Sequence, residues 1–90
     1  MKPKTVNGHR FYIGDKVRIA RSCEQIPIDS IGGGWTGGMW QYVGKVGRIR
    51  DIRTGTAADG NHYPCYTLTV DDEYYIWDDR LLDIVKYHDR

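Results

Sequence analysis

The chain is short of several things, and each shortage removes a class of protein. Its two cysteines, Cys23 and Cys65, are too few for a disulfide framework and form no C-x-x-C pair of the redox or zinc kind. They are expected as reduced thiols that fill space in or near the core. No apolar run approaches the roughly 18 residues of a membrane-spanning helix. The basic start Met1-Lys2-Pro3-Lys4-Thr5 is not followed by the apolar stretch of a secretory leader. A cytoplasmic protein without membrane association is the expectation. The formal net charge is only +1, so no bulk field draws the whole molecule to nucleic acid, and a charged partner has to be met by a local patch. No stretch keeps a 3.6-residue apolar period for three turns, which argues against a helical fold.

What is present favours strands. Eleven glycines, seven tyrosines and three tryptophans in 90 residues suit short strands joined by tight turns. Residues 1–10 read as a polar N-terminal tail with a turn signal at Asn7-Gly8, residues 11–86 as one domain, and residues 87–90 as a C-terminal tail. In Lys16-Val17-Arg18-Ile19 the apolar residues alternate with cations, as a half-buried strand requires. Ser22 to Tyr42, with Gly32-Gly33-Gly34-Trp35-Thr36-Gly37-Gly38 at its centre, reads as a long irregular excursion, with one helical turn over 39–42 capped by Thr36. In Gly44 to Ile52 the apolar residues fall three apart, which predicts a strand bent by a bulge near Gly47. Thr54 to Pro64 is a polar turn region. Tyr66, Leu68 and Val70 alternate with Cys65, Thr67 and Thr69 as a third strand, and Asp71-Asp72-Glu73 makes a tight hairpin turn into Tyr74-Tyr75-Ile76-Trp77. Asp78-Asp79-Arg80 suits a capped turn before a last strand, Leu82 to Val85.

Five short strands in this order, with a long first loop, predict an all-β, SH3-like barrel. The segments Phe11-x-Ile13-Gly14-Asp15-Lys16-Val17-Arg18-Ile19, Met39-x-x-Tyr42-Val43-Gly44-Lys45-Val46-x-x-Ile49 and Tyr75-Ile76-Trp77-Asp78-Asp79-x-Leu81-Leu82 resemble small uncharacterised SH3-like proteins of bacteria and their phages. The Gly44-Lys45-Val46 segment also resembles the KOW element of transcription and ribosomal proteins. The first resemblance implies a fold and a bacterial or mobile-element origin, and leaves function to be argued from sites.

No catalytic or metal set is expected. The acidic residues Asp71, Asp72, Glu73, Asp78 and Asp79 lack the alternating oxygens of a calcium loop and suit hairpin and capping roles instead. His62 and Cys65 form a single pair where structural zinc needs two, and the glycine-rich loop lacks the Gly-Lys-Ser/Thr of a phosphate cradle. A binding module that needs no cofactor and is not an enzyme is expected, with two candidate surfaces. The first is an aromatic face for a protein or peptide, built from Trp35, Trp40, Tyr42, Tyr63 and Tyr75, with Trp35 as its exposed anchor between flexible glycines. The competing reading has Trp40, Tyr42 and Trp77 merely closing the barrel end. The second is a basic strand face for nucleic acid: Lys16, Arg18, Lys45, Arg48 and Arg50. Against it stand Asp51 and the acids of 71–73, placed to neutralise the stripe across strands.

Overall fold

A computed structural model describes residues 8–86. The strands are β1 Lys16–Ile19, β2 Val46–Thr56, β3 His62–Leu68, β4 Ile76–Asp78 and β5 Leu82–Ile84, all antiparallel, in the order β4-β3-β2-β1-β5. One strand serves both halves. The first residues of β2 pair with β1, in the register Lys16 to Arg48 and Val17 to Gly47, while the rest, from Ile49 to Thr56, pairs with β3. Between the two ladders the register shifts at Ile49/Asp51, so the bend falls at Arg50 and not near Gly47. Gly47 has a different task. A Cβ there would stand 2.9 Å from Cβ of Val70, so its bare backbone lets the β3–β4 hairpin lie against β2.

The core takes Val17 and Ile19 from β1, Ile49 from β2, Tyr66 and Leu68 from β3, Trp77 from β4, and Leu81 and Leu82 from the chain's last turn and strand. Alternation holds in β1 and at the start of β2, where Gly47 and Ile49 are buried and Arg48 and Arg50 exposed. It fails in β3, where Cys65, Tyr66, Thr67 and Leu68 are all buried. Tyr66 faces Phe11 and His9, whereas Cys65 faces the glycine backbones of Gly32 and Gly55, so both sides of the strand are covered. The polar region 54–64 is also more regular than its composition suggests, because β2 runs to Thr56 and β3 starts at His62.

Two 3-10 turns interrupt the long β1–β2 connection, at Ile28–Ser30 and Gly37–Tyr42. A third, Asp79–Leu81, leads into β5, capped by the Asp78 carboxylate accepting from the Arg80 amide. The glycine-rich stretch is tied down. The Gly32 amide donates to Asp78 Oδ2 at 2.7 Å and the Gly33 amide to the Thr56 carbonyl at 3.2 Å. Added Cβ atoms would strike Cys65 Sγ at Gly32 and Ile76 at Gly33, so these glycines mark close packing and not mobility.

The ordered body also begins before Phe11. His9 is buried, and its Nε2 faces two carbonyl oxygens, of Arg53 at 2.6 Å and Cys65 at 3.2 Å. Carbonyls only accept, so that nitrogen carries the proton and donates. Arg10 closes on Asp79: its amide and Nε donate to the carboxylate, and its Nη2 donates to the Asp79 and Leu82 carbonyls. The reading of 1–10 as a tail is therefore corrected for His9 and Arg10, whose partners are too distant in sequence for a local reading to find. The expected tail residues 1–7 and 87–90 lie outside the described residues.

Candidate functional site

The turn between β3 and β4 sets the site. Asp72 and Glu73 are both left-handed, with φ of 56° and 62°, and the Tyr74 amide donates to the Asp71 carbonyl at 3.1 Å, closing a tight turn inside the longer connection from Leu68 to Ile76. Neither residue is glycine, so the conformation is held against an intrinsic cost. The Glu73 amide donating to the Leu68 carbonyl, and the Thr67 hydroxyl donating to Glu73 Oε1, help hold it. The turn sends Asp71 inward and Tyr74 outward. Asp71 Oδ2 accepts from the Tyr75 amide at 2.9 Å and from the Trp77 indole Nε1 at 3.1 Å.

The second wall comes from the 3-10 turn at Gly37–Tyr42. The Met39 amide donates to the Thr36 carbonyl at 3.0 Å, and the Thr36 amide points at Met39 Sδ at 3.3 Å. Met39 is thereby held in the core, which leaves Trp40 and Tyr42 toward the surface. At Gly38 the missing side chain makes room for the Tyr75 hydroxyl.

Six rings meet across these two walls. Trp40 lies edge-to-face on Trp35 at 5.4 Å, Trp35 on Trp77 at 6.0 Å, Trp77 on Tyr42 at 6.2 Å and on Tyr75 at 5.9 Å, and Tyr75 on Tyr74 at 4.7 Å. Exposure is graded along the chain of rings. Trp77 is fully buried, Tyr42 and Tyr75 are half-buried, and Trp40 and Tyr74 stand 43 % and 79 % exposed at the two ends. Edge-to-face contacts of this kind are worth about 0.5–1.5 kcal/mol each beyond area.

Of the five aromatic residues expected in a binding face, Trp40, Tyr42 and Tyr75 come together at its surface. Trp35 joins them from beneath: it is 9 % exposed, with its indole N–H enclosed and without an acceptor, so the expectation of an exposed loop anchor is corrected. Gly32 and Gly33, which lead into it, are packed, although Gly34 and Gly37 beside it are not, and the ring fills the space between Trp40 and Trp77. Tyr63 lies elsewhere, under the Arg80 guanidinium at 4.3 Å with its hydroxyl donating to Asp59. From sequence, Tyr74 and Asp71 are expected as parts of the hairpin and not of the binding face. The available signal was their position on either side of an acidic turn that must reverse the chain.

The basic residues are placed less coherently. Lys16 and Arg48 stand opposite each other across β1 and β2, and Arg18 stands opposite Val46 on one side and Asp83 on the other. Lys45 precedes β2 and is exposed. Arg50 approaches Glu73 at 3.7 Å and Arg53 bonds Asp51 at 3.0 Å, so acids interrupt the stripe.

Burial, and then the Asp78 carboxylate, push the Cys65 thiol up to about 12, which keeps it protonated and non-nucleophilic at neutral pH. Both cysteines are free thiols, and among the described residues no group of three His, Cys, Asp or Glu is disposed to hold a metal ion. No helix there is long and apolar enough to cross a membrane.

The sequence pattern of the Mind bomb SH3 repeat domain matches residues 11–60, which is more than half of the chain. The chain belongs to this family. Comparison with curated proteins and with solved structures returns no match. The Mind bomb SH3 repeat match takes in β1, the long connection and β2, and so includes Trp35, Trp40 and Tyr42, while Asp71 to Trp77 lie beyond it. SH3-like domains as a class are protein-interaction modules and typically not catalysts.

Proposed function

We propose that the protein binds an extended peptide segment of a partner across the face formed by Trp40, Tyr42, Tyr74 and Tyr75, with Trp35 and Trp77 as its floor. The observation that carries this reading is the unbroken series of edge-to-face rings, buried at its middle and open at both ends. Tryptophan and tyrosine offer large contact area for few rotatable bonds, and they dominate binding hot spots. Here their mutual contacts have already fixed them, so little entropy is lost when a partner arrives.

A cysteine-free random heptapeptide library displayed on phage, panned against the intact chain, supplies ligands for the test. Trp40→Ala and Tyr74→Ala remove exposed rings, so both variants are expected to keep the wild-type fold while weakening the selected peptides by about 2 kcal/mol each. Peptides that bind both variants as tightly as wild type would refute the face. The basic strand face is the rival surface. If oligonucleotides bind instead, with Arg48→Ala and Arg50→Ala each lowering the salt slope by about one unit, the protein reads phosphates.

A further inference from the structure

Among the described residues three aspartates are buried, and two of them share one construction. Asp78 is fully buried, bonded to the Arg80 guanidinium at 2.7 Å, and that guanidinium lies over the Tyr63 ring at 4.3 Å. Asp79 is bonded to the Arg10 guanidinium, which lies over the Phe11 ring at 4.7 Å. Each unit is a buried carboxylate, a planar cation and an aromatic ring. This suits the guanidinium, which donates in a fixed fork and stacks on rings at once.

Asp71 has two parts of this unit and lacks the third. It is 6 % exposed, it stands against Trp77 and Tyr75, and no cation among the described residues bonds it. Its Oδ2 takes two N–H donors, but its Oδ1 is enclosed and has no hydrogen-bond partner. A buried carboxylate without a cation, and with one oxygen unbonded, is costly, and proteins otherwise pair such groups. Asp71 also heads a turn whose next three residues, Asp72, Glu73 and Tyr74, are exposed, so the carboxylate lies at the surface end of the ring series. Asp72 adds a second negative charge there.

From this repetition we infer that the partner supplies the missing cation: an arginine side chain that enters beside Tyr74, stacks on the tyrosine rings and, with an outward shift of the exposed 72–74 turn that uncovers the enclosed oxygen, donates to Asp71 Oδ1. The inference rests on the aromatic-face reading and names the residue class that face selects. A lysine would satisfy the charge but not the stacked fork.

The test uses the intact chain and the heptapeptides selected above, each resynthesised with arginine replaced by citrulline, a neutral side chain of the same shape. Asp71→Asn is the matched variant. Its amide oxygen can accept from the Tyr75 amide and Trp77 Nε1 as before, while Oδ1 becomes an N–H donor. Wild-type-like far-UV circular dichroism and an unchanged thermal midpoint show that the fold is kept. The expected result is enrichment of arginine, a loss of about tenfold or more on citrulline replacement with the wild-type chain, and almost no such loss with Asp71→Asn. Selected peptides without arginine, or arginine peptides indifferent both to citrulline and to Asp71→Asn, would overturn the inference. If those peptides still lose affinity with Trp40→Ala and Tyr74→Ala, the aromatic face stands and only its arginine preference falls. If they do not, or if the library yields no binder, both fall.

Discussion

Removing the Trp35 ring tests the packing most directly, because local sequence and tertiary structure assign it opposite places. In a flexible loop its loss would leave stability unchanged. In the structure it is wedged between Trp40 and Trp77 with 9 % of its surface exposed. Truncating a buried tryptophan to alanine costs about 3–5 kcal/mol. One local feature reduces that figure: the indole N–H is enclosed without an acceptor, and deleting an unpaired buried donor returns about 1 kcal/mol. Trp35→Ala should therefore cost about 2–4 kcal/mol, or roughly 10 to 30 °C in Tm for a domain of this size. Urea denaturation followed by far-UV circular dichroism measures it. Trp35→Phe separates the two contributions, since it keeps a ring and removes the orphan donor. It should fall within about 1 kcal/mol of wild type. A Trp35→Ala cost below about 1 kcal/mol would mean that the ring is not core, and a Trp35→Phe cost as large as that of alanine would refute the offset.

Three further outcomes follow from the same structure. Arg10→Ala strips the cation from buried Asp79 and should destabilise by about 1–3 kcal/mol, whereas a true tail residue would show nothing in the same urea titration. Gly55→Ala places a Cβ 2.6 Å from the Gly33 amide nitrogen and should cost about 3 kcal/mol, while Gly37→Ala meets open space and should be neutral, as paired thermal melts would show. Burial raises the Cys65 thiol from 9.0 to about 12, and burial with the Asp79 contact also raises the Tyr66 phenol above its usual 10.0. Both groups hold their protons more tightly folded than unfolded, so the stability they contribute is complete below about pH 9 and is lost as pH rises toward 12. The fall reaches at most about 1.4 kcal/mol per pH unit for each group. Denaturation midpoints flat from pH 9 to 11 would contradict this.

The parts of the fold legible in sequence are those decided by neighbours. Alternation in Lys16 to Ile19 placed the first strand, the acidic run 71–73 the hairpin turn, and Asp78 the cap before the last strand. The misplaced parts depend on distant contacts. A glycine that packs and a glycine that moves look alike in sequence; what decides for Gly32 is Asp78, 46 residues away. The sequence points to a bulge near Gly47, and a register shift does occur in β2, but it falls between Ile49 and Asp51, while the missing side chain at Gly47 admits Val70. The candidate face was half legible, since Trp40, Tyr42 and Tyr75 could be named from their excess over what a small core holds. Asp71 could not, because its distinction is a missing partner that only the placement of the other two aspartates makes visible.

The bond from Arg10 to Asp79 and Leu82, together with the pairing of β1 with β5, has a consequence for how the domain can be carried. Entry and exit of the described chain are stitched side by side, with the Val85 amide donating to the Lys16 carbonyl. Such a unit can be spliced into a surface loop of another protein, or strung in tandem on short connectors, without pulling any strand from its neighbour. Rejoining its ends and opening the chain at the exposed Ala58-Asp59-Gly60 turn would leave every ladder in place, a rewiring the architecture already accommodates.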